Sequence, residues 1–256
     1  MKITILGSGT SQGVPVIACD CEVCKSSNPK DKRLRTSVSI EYKGKVIVID
    51  SGPDFRYQML RANVKRLDAL VITHEHKDHV AGLDDIRAFN YVMKKKIPIY
   101  ATTNVQYHLK QEFEYVFSGM KYPGIPEVEL HTIDKAKPFT IEGLEIIPIE
   151  VLHYKLPVLG FRIKDFTYIT DANYIDDNEK EKIKGTKTLI INALRKEKHI
   201  SHFTMNEAIS LIHELKPTTA YLTHISHQLG LHDAINKELP VDIFCAYDGL
   251  EMEFKD

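Results

Sequence analysis

Leu67-Asp68-Ala69-Leu70-Val71-Ile72-Thr73-His74-Glu75-His76-Lys77-Asp78-His79 is the stretch that decides how this chain is read. Its first part, Leu67–Thr73, is an apolar run of strand length and predicts a buried β-strand. The run ends directly in a loop carrying His74, His76, Asp78 and His79, four metal-capable side chains. Imidazole and carboxylate together suit zinc, manganese or iron. Alternate residues of a turn project differently, so His74 and His76 can face one ion while Asp78 and His79 face a second. A buried strand is a rigid base for such a set. A loop that is merely solvated has no need of three imidazoles at this spacing.

The chain around the loop has 256 residues and a hydrophobic fraction of 43%, enough for a substantial core. No repeat, low-complexity tract or long linker divides it, and residues 1–256 are read as one domain. Strands are expected at Ile3–Leu6, Ser37–Tyr42, Val46–Asp50, Ile97–Ala101, Val128–Thr132, Phe139–Ile141, Leu144–Val151, Gly160–Ile163, Phe166–Thr170, Thr188–Asn192, Thr219–Thr223, Ile243–Tyr247 and Leu250–Phe254. Helices are expected at Phe55–Ala62, from about Leu83, at Asn104–Phe117, near Asp176–Lys184 and at Met205–Leu215. The last is announced by the capping-box spacing Thr204-Met205-Asn206-Glu207. Two mixed β blocks with helices outside predict two packed sheets flanked by helices, an α/β architecture.

The formal net charge is −1, so the basic excess of a protein that grips many phosphates is absent and a long nucleic acid is disfavoured as a partner. No run reaches the ~20 apolar residues of a membrane span. The Met1–Gly7 segment lacks the apolar centre of a signal peptide, so the expectation is a cytoplasmic protein with no membrane partner. A homodimer is compatible with the sequence. Cys19, Cys21 and Cys24 form a C-x-C-x-x-C cluster. In a reducing compartment such a cluster favours metal over disulfide. Three thiolates leave a tetrahedral zinc one ligand short, and the fourth must come from afar, from Cys245 or a histidine. A Cys21–Cys24 redox pair is the competitor, but the segment does not open a helix after a strand as such motifs do. Cys245 lies in the apolar run Ile243-Phe244-Cys245-Ala246 and reads as a small buried residue.

The H-x-H-x-D-H loop after a strand resembles the signature of the metallo-β-lactamase superfamily, and the likeness spans nearly the whole chain. That resemblance implies a four-layer αββα sandwich. It also implies a later His, Asp and His, which His153, Asp171 and His224 supply in order, each at the end of a strand-like run. By the same resemblance His74, His76 and His153 hold one ion, Asp78, His79 and His224 the other, and Asp171 bridges. Asp50 in Ile49-Asp50-Ser51-Gly52 matches a motif that supports such sites from behind, though a turn aspartate before glycine is an ordinary feature too.

Within the superfamily the chain looks most like the PhnP subfamily of cyclic phosphodiesterases. The similarity rests on Gly7-Ser8-Gly9-Thr10-Ser11-Gln12-Gly13-Val14-Pro15-Val16 with the cysteine cluster, on Leu222-Thr223-His224-Ile225-Ser226-His227-Gln228-Leu229-Gly230, and on Tyr247-Asp248-Gly249-Leu250-Glu251. It implies that His227 joins Cys19, Cys21 and Cys24 in a structural zinc site. The reaction so implied is hydrolysis of a small, cyclic or activated phosphodiester by hydroxide held on two manganese or zinc ions. Asp78 belongs to the catalytic set, and His202, with His199 second, is the proton donor to the leaving oxygen. The competing functions are a tRNA-processing type of nuclease, a PqqB-like role in cofactor biosynthesis, and a binding module that has lost its chemistry. No long Gly/Pro-rich arm for RNA is visible, although Phe113–Glu127 is an insertion. His108, His131, His213 and His232 match no ligand slot and read as surface or helix residues, and Lys94-Lys95-Lys96 as a solvated helix end.

Overall fold

Alternation along single strands builds the layers. In Lys45–Ile49, Ile47 and Ile49 enter one buried cluster while Val46 and Val48 enter another, so this strand is covered on both faces. The computed structural model describes residues 1–119 and 122–255. In chain order its strands are β1 (Lys2–Gly7), β2 (Ser37–Tyr42), β3 (Lys45–Ile49), β4 (Ala69–Val71), β5 (Ile97–Ala101), β6 (Val128–Thr132) and β7 (Phe139–Ile141). They continue as β8 (Leu144–His153), β9 (Leu156–Ile163), β10 (Phe166–Ile169), β11 (Thr188–Asn192), β12 (Thr219–Thr223), β13 (Ile243–Cys245) and β14 (Glu251–Glu253).

They make two seven-stranded sheets, ordered β14-β1-β2-β3-β4-β5-β6 and β13-β12-β11-β10-β9-β8-β7. Each sheet is antiparallel in one half and parallel in the other, with β3 to β6 parallel in the first and β10 to β13 parallel in the second. Between the sheets lie Ile3, Ile5, Ile40, Phe161, Phe166 and Tyr168. Outside the first sheet, Phe55, Ile86, Phe89 and Val105 cover Val48, Leu70 and Ile99. Outside the second, Ala208, Leu211, Ile212 and Ile235 cover Leu189, Ile191 and Leu222. The result is the four-layer αββα sandwich that the resemblance implies. No described helix is long and apolar enough to cross a membrane.

Departures from the sequence reading have local causes. The helix expected over residues 104–117 is two, Thr103–Glu112 and Glu114–Phe117. The chain leaves helical geometry at Phe113 (φ −111°, ψ 44°), whose ring is buried in the outer core. Met120 and Lys121 of the 113–127 segment lie outside the described residues. The helix near Leu83 begins as a 3₁₀ turn, Leu83–Ile86, before Arg87–Met93. Strand β9 starts at Leu156, earlier than expected, because it pairs with β8 back to His153. The cysteine segment does form one helical turn, Glu22–Lys25, with the Cys21 side chain accepting from the Cys24 N–H. The helix His232–Glu238 is an addition, and His232 on it is buried beside Arg33 rather than on the surface.

The loop after β3 is pressed against the histidine loop at two glycines. A Cβ on Gly52 would sit 2.0 Å from the Asp78 carbonyl oxygen, and one on Gly82 would sit 2.2 Å from the Gly52 carbonyl oxygen. Both obstacles are backbone and cannot swing aside. Gly52→Ala is therefore expected to lower unfolding stability by about 2–4 kcal/mol, read from the denaturant midpoint. A variant as stable as the wild type contradicts this account of how the two loops are held together.

Candidate metal centre and active site

The site sits at the C-terminal ends of the parallel strands, where loops of both sheets converge. Asp50 follows β3, His74 to His79 follow β4, Asp171 follows β10 and His224 follows β12. Asp50, Asp171 and His224 all adopt left-handed backbone geometry, with φ of 65°, 52° and 54°. Left-handed geometry is uncommon outside glycine and is retained where the surroundings require it. Here it turns the chain sharply at three strand ends that share one cluster.

Two donor sets form. The ligand atoms of His74, His76 and His153 lie within 4.8 Å of one another, and so do those of Asp78, His79, Asp171 and His224. A third grouping joins Asp171 to His153 and His202, which places Asp171 between the two sets. Its Oδ2 is 3.2 Å from His79 Nε2 and its Oδ1 is 3.1 Å from His224 Nε2. The structure thus brings together every sequence-nominated active-site ligand.

Hydrogen bonds behind the rings set their tautomers. His79 Nδ1 donates to Asp50 Oδ2 at 2.7 Å, which leaves Nε2 free to ligate. His153 Nδ1 donates to the Ser201 carbonyl at 2.8 Å with the same effect. His74 Nδ1 lies 3.0 Å from Thr73 Oγ1, and that hydroxyl donates to Asp50. The Asn192 side chain grips the residue after Asp171, accepting from the Ala172 N–H and donating to its carbonyl.

The donor set fits divalent cations. The Nε2 atoms of His74, His79 and His224 are buried without a hydrogen-bond partner, although carboxylate oxygens lie 3.1–3.2 Å from two of them. Buried polar atoms are otherwise almost always paired, and lone pairs converging on one centre are what a cation needs. The protons show the same demand. Burial works against charge on His79 and His224, but the carboxylates of Asp78 and Asp171 outweigh it. His79 is raised well above the usual imidazole range and His224 to about 9. Asp171 is held well below the carboxylate range; burial opposes this, and the charges of His224 and His79 outweigh it. His202, 8% exposed, is pushed down to about 2 by burial and by His224. Its ring is therefore neutral, and its Nδ1, 3.9 Å from Asp171 Oδ1, has no hydrogen-bond partner.

A separate cluster gathers Cys19, Cys21, Cys24 and His227. His227 Nδ1 is 3.3 Å from the sulfurs of Cys19 and Cys21 and 3.6 Å from that of Cys24. The Cys24 N–H and His227 lower Cys21 to about 6, towards a thiolate. Cys245 is buried elsewhere, with its N–H bonded to Asn236. Two residues of the site region escaped the sequence reading. Asn173 accepts the Tyr154 N–H at 2.6 Å, and Ser201 supplies the carbonyl to His153. Neither carries a spacing signal, because each acts on a residue far away in sequence.

Residues 45–225 match the profile of the beta-lactamase superfamily domain. A solved structure described as a new diphosphatase from the PhnP family is 41% identical and superposes with a TM-score of 0.93 over 99% of this chain and 96% of the other. The zinc-bound PqqB of Methylobacterium extorquens superposes with a TM-score of 0.81 over 99% and 100% of the two chains; at 18% identity it shows the fold alone. A Porphyromonas gingivalis protein named octanoyltransferase is 41% identical over 253 residues, which are 98% of this chain and 51% of that protein. Ribonuclease Z of Acaryochloris marina is 27% identical over 64% of this chain and 48% of its own. The chain thus spans about half the length of these curated relatives.

The protonation pattern predicts how metal loading behaves. Near pH 7, binding of manganese to protein freed of metal at the His/Asp donor sets alone is expected to release about two protons, from His79 and His224, so affinity rises with pH. Titration calorimetry in buffers of different ionisation enthalpy measures that number. Heats that do not depend on the buffer contradict the assignment of these two rings as ligands.

Proposed function

Because this chain belongs to the metallo-β-lactamase superfamily and, within it, to the PhnP family, we propose that it hydrolyses a small molecule at a disubstituted phosphoryl centre, a phosphodiester or a diphosphate, with the help of two divalent cations. The observation that carries the reading is the pair of donor sets with Asp171 between them, in a chain 41% identical to a PhnP-family diphosphatase over nearly its whole length. His74, His76 and His153 would hold one ion and Asp78, His79 and His224 the other, with Asp171 bridging. Manganese and zinc both suit such ligands. When bound, the cations supply positive charge for the phosphoryl oxygens and lower the pKa of an attacking water.

The protein's own groups do the rest. Asp50 and the Ser201 carbonyl hold the rings of His79 and His153 in the ligating tautomer. His202, neutral and with a free Nδ1, serves better as a hydrogen-bond donor to the phosphoryl or leaving oxygen than as a strong acid. On this proposal the proton-donor role read from the sequence becomes that of a hydrogen-bond donor. Cys19, Cys21, Cys24 and His227 make a closed four-donor set, suited to a structural zinc. The loops it would join already pair through Gly9 and Ile225, and His224 is next in the chain. Such a zinc would brace one rim of the site. The whole of this chemistry is proposed for the protein in the cell as an intracellular hydrolase of small phosphate esters.

The octanoyltransferase name belongs to a protein of which the match to this chain covers 51%. A nuclease is the second reading, favoured by the ribonuclease Z relatives. The net charge of −1 weighs against it.

With manganese or zinc added, the protein is expected to cleave bis(4-nitrophenyl) phosphate, a small cyclic phosphodiester or a diphosphate diester faster than a precursor tRNA. Asp171→Ala is expected to cost at least about 10³-fold in kcat/KM and to lower metal occupancy. Efficient cleavage of the tRNA alone, or full activity in the Asp171 variant, overturns the proposal.

A further inference from the structure

Beside His202 the surface opens into a cleft of about 400 Å³, lined by Asn173, Lys198, His199, Ile200, His202 and Glu207. The His202 ring separates it from the donor sets. That ring is 4.6 Å, centre to centre, from the His153 ring and 4.7 Å from the His224 ring. The cleft and the donor sets thus share His202 as a wall, and a group leaving the phosphoryl centre past the edge of that ring would meet the cleft.

The polar lining is biased towards donors. Asn173 spends its Oδ1 on the Tyr154 N–H, and among the described residues its Nδ2 makes no hydrogen bond, so the amide protons are available. His199 Nδ1 accepts the Ser201 N–H at 3.3 Å, so the neutral ring carries its proton on Nε2, a donor. Lys198 Nζ spends one N–H on Glu207 Oε1 and keeps two. Glu207, the one carboxylate in the wall, is already occupied: Oε2 accepts the Thr204 N–H and hydroxyl, and Oε1 accepts Lys198. Arg195 Nη2 donates to the Lys198 carbonyl and fixes the backbone on which Lys198 stands. The buried, unpartnered Nδ1 of His202 lies at the inner edge.

We infer that this cleft is the leaving-group subsite and that Lys198, His199 and Asn173 make it select a leaving group that is itself a phosphate. The inference rests on the phosphoryl-hydrolysis reading above and narrows it to cleavage of a P–O–P linkage. In that step water forms a new bond to one phosphorus. The bond from that phosphorus to the bridging oxygen breaks, and its electron pair stays on the oxygen. The bridging oxygen becomes the fourth oxygen of the departing phosphate, the proton of the water passes to solvent, and two phosphate monoesters result. The departing phosphate gains charge as it forms, where an ammonium and neutral N–H donors can stabilise it.

The test measures kcat and KM of the metal-loaded protein on P1,P2-diphenyl diphosphate and on bis(4-nitrophenyl) phosphate, whose leaving group carries no phosphate. For Lys198→Ala, the ratio of the two kcat/KM values is expected to move against the diphosphate by about 10- to 100-fold, mainly through kcat. Lys198→Arg is expected to keep most of the ratio, and Asn173→Ala to move it in the same direction as Lys198→Ala. A ratio unchanged in Lys198→Ala overturns the subsite. Wild-type cleavage of the aryl diester with none of the diphosphate overturns the subsite and leaves the phosphodiesterase reading standing. Cleavage of neither overturns both.

Discussion

The hydrogen bond from His79 Nδ1 to Asp50 Oδ2, 2.7 Å long and shielded from water on both sides, is the contact on which the rest of the site depends. Asp50 also accepts the Thr73 N–H and hydroxyl, so one carboxylate joins the end of β3 to the end of β4 and the histidine loop. Asp50 is fully buried, and burial alone would keep its proton on; the His79 charge works against that. A buried carboxylate of this kind is costly unless it is fully bonded. Here it is bonded only while the loop keeps the one shape in which His79 Nε2 faces Asp171.

From that contact the architecture follows in steps. Gly52 and Gly82 let the loops close on each other at distances no side chain would allow. The parallel halves of the two sheets bring their carboxyl-terminal ends to the same rim, as open α/β sheets commonly do around a ligand. Left-handed residues at Asp50, Asp171 and His224 then end the strands abruptly. Imidazoles and carboxylates concentrated there make a cluster whose charge is balanced by protons when metal is absent and by cations when it is present.

Much of this was legible in the chain. The strands Ser37–Tyr42, Ile97–Ala101 and Thr188–Asn192 and the helix Met205–Leu215 were expected with the bounds they have. They are alternating, continuously apolar or capped, and the Thr204–Glu207 capping box is formed in full. The histidine loop announced itself through residue types alone. His153, Asp171 and His224 needed the family resemblance, because a single His or Asp after a strand is ordinary. What stayed illegible acts across the fold. Arg33 is a charged residue in a polar loop, yet it is buried and donates to Ser8 and the Ala246 carbonyl. Asn173 and Ser201 work on Tyr154 and His153 through contacts that no local pattern encodes. The break at Phe113 came from a tertiary demand for a buried ring, which overrides helix propensity.

On the proposed reading, the histidine loop and its partners hold two cations side by side. A crystal structure of the protein purified without chelator, with anomalous data at the zinc and manganese edges, decides the point. Two peaks about 3.5–4 Å apart flanking Asp171 are expected, with a third, zinc peak among Cys19, Cys21, Cys24 and His227. A single ion at the centre, or loaded protein with no peak at Asp171, would contradict it.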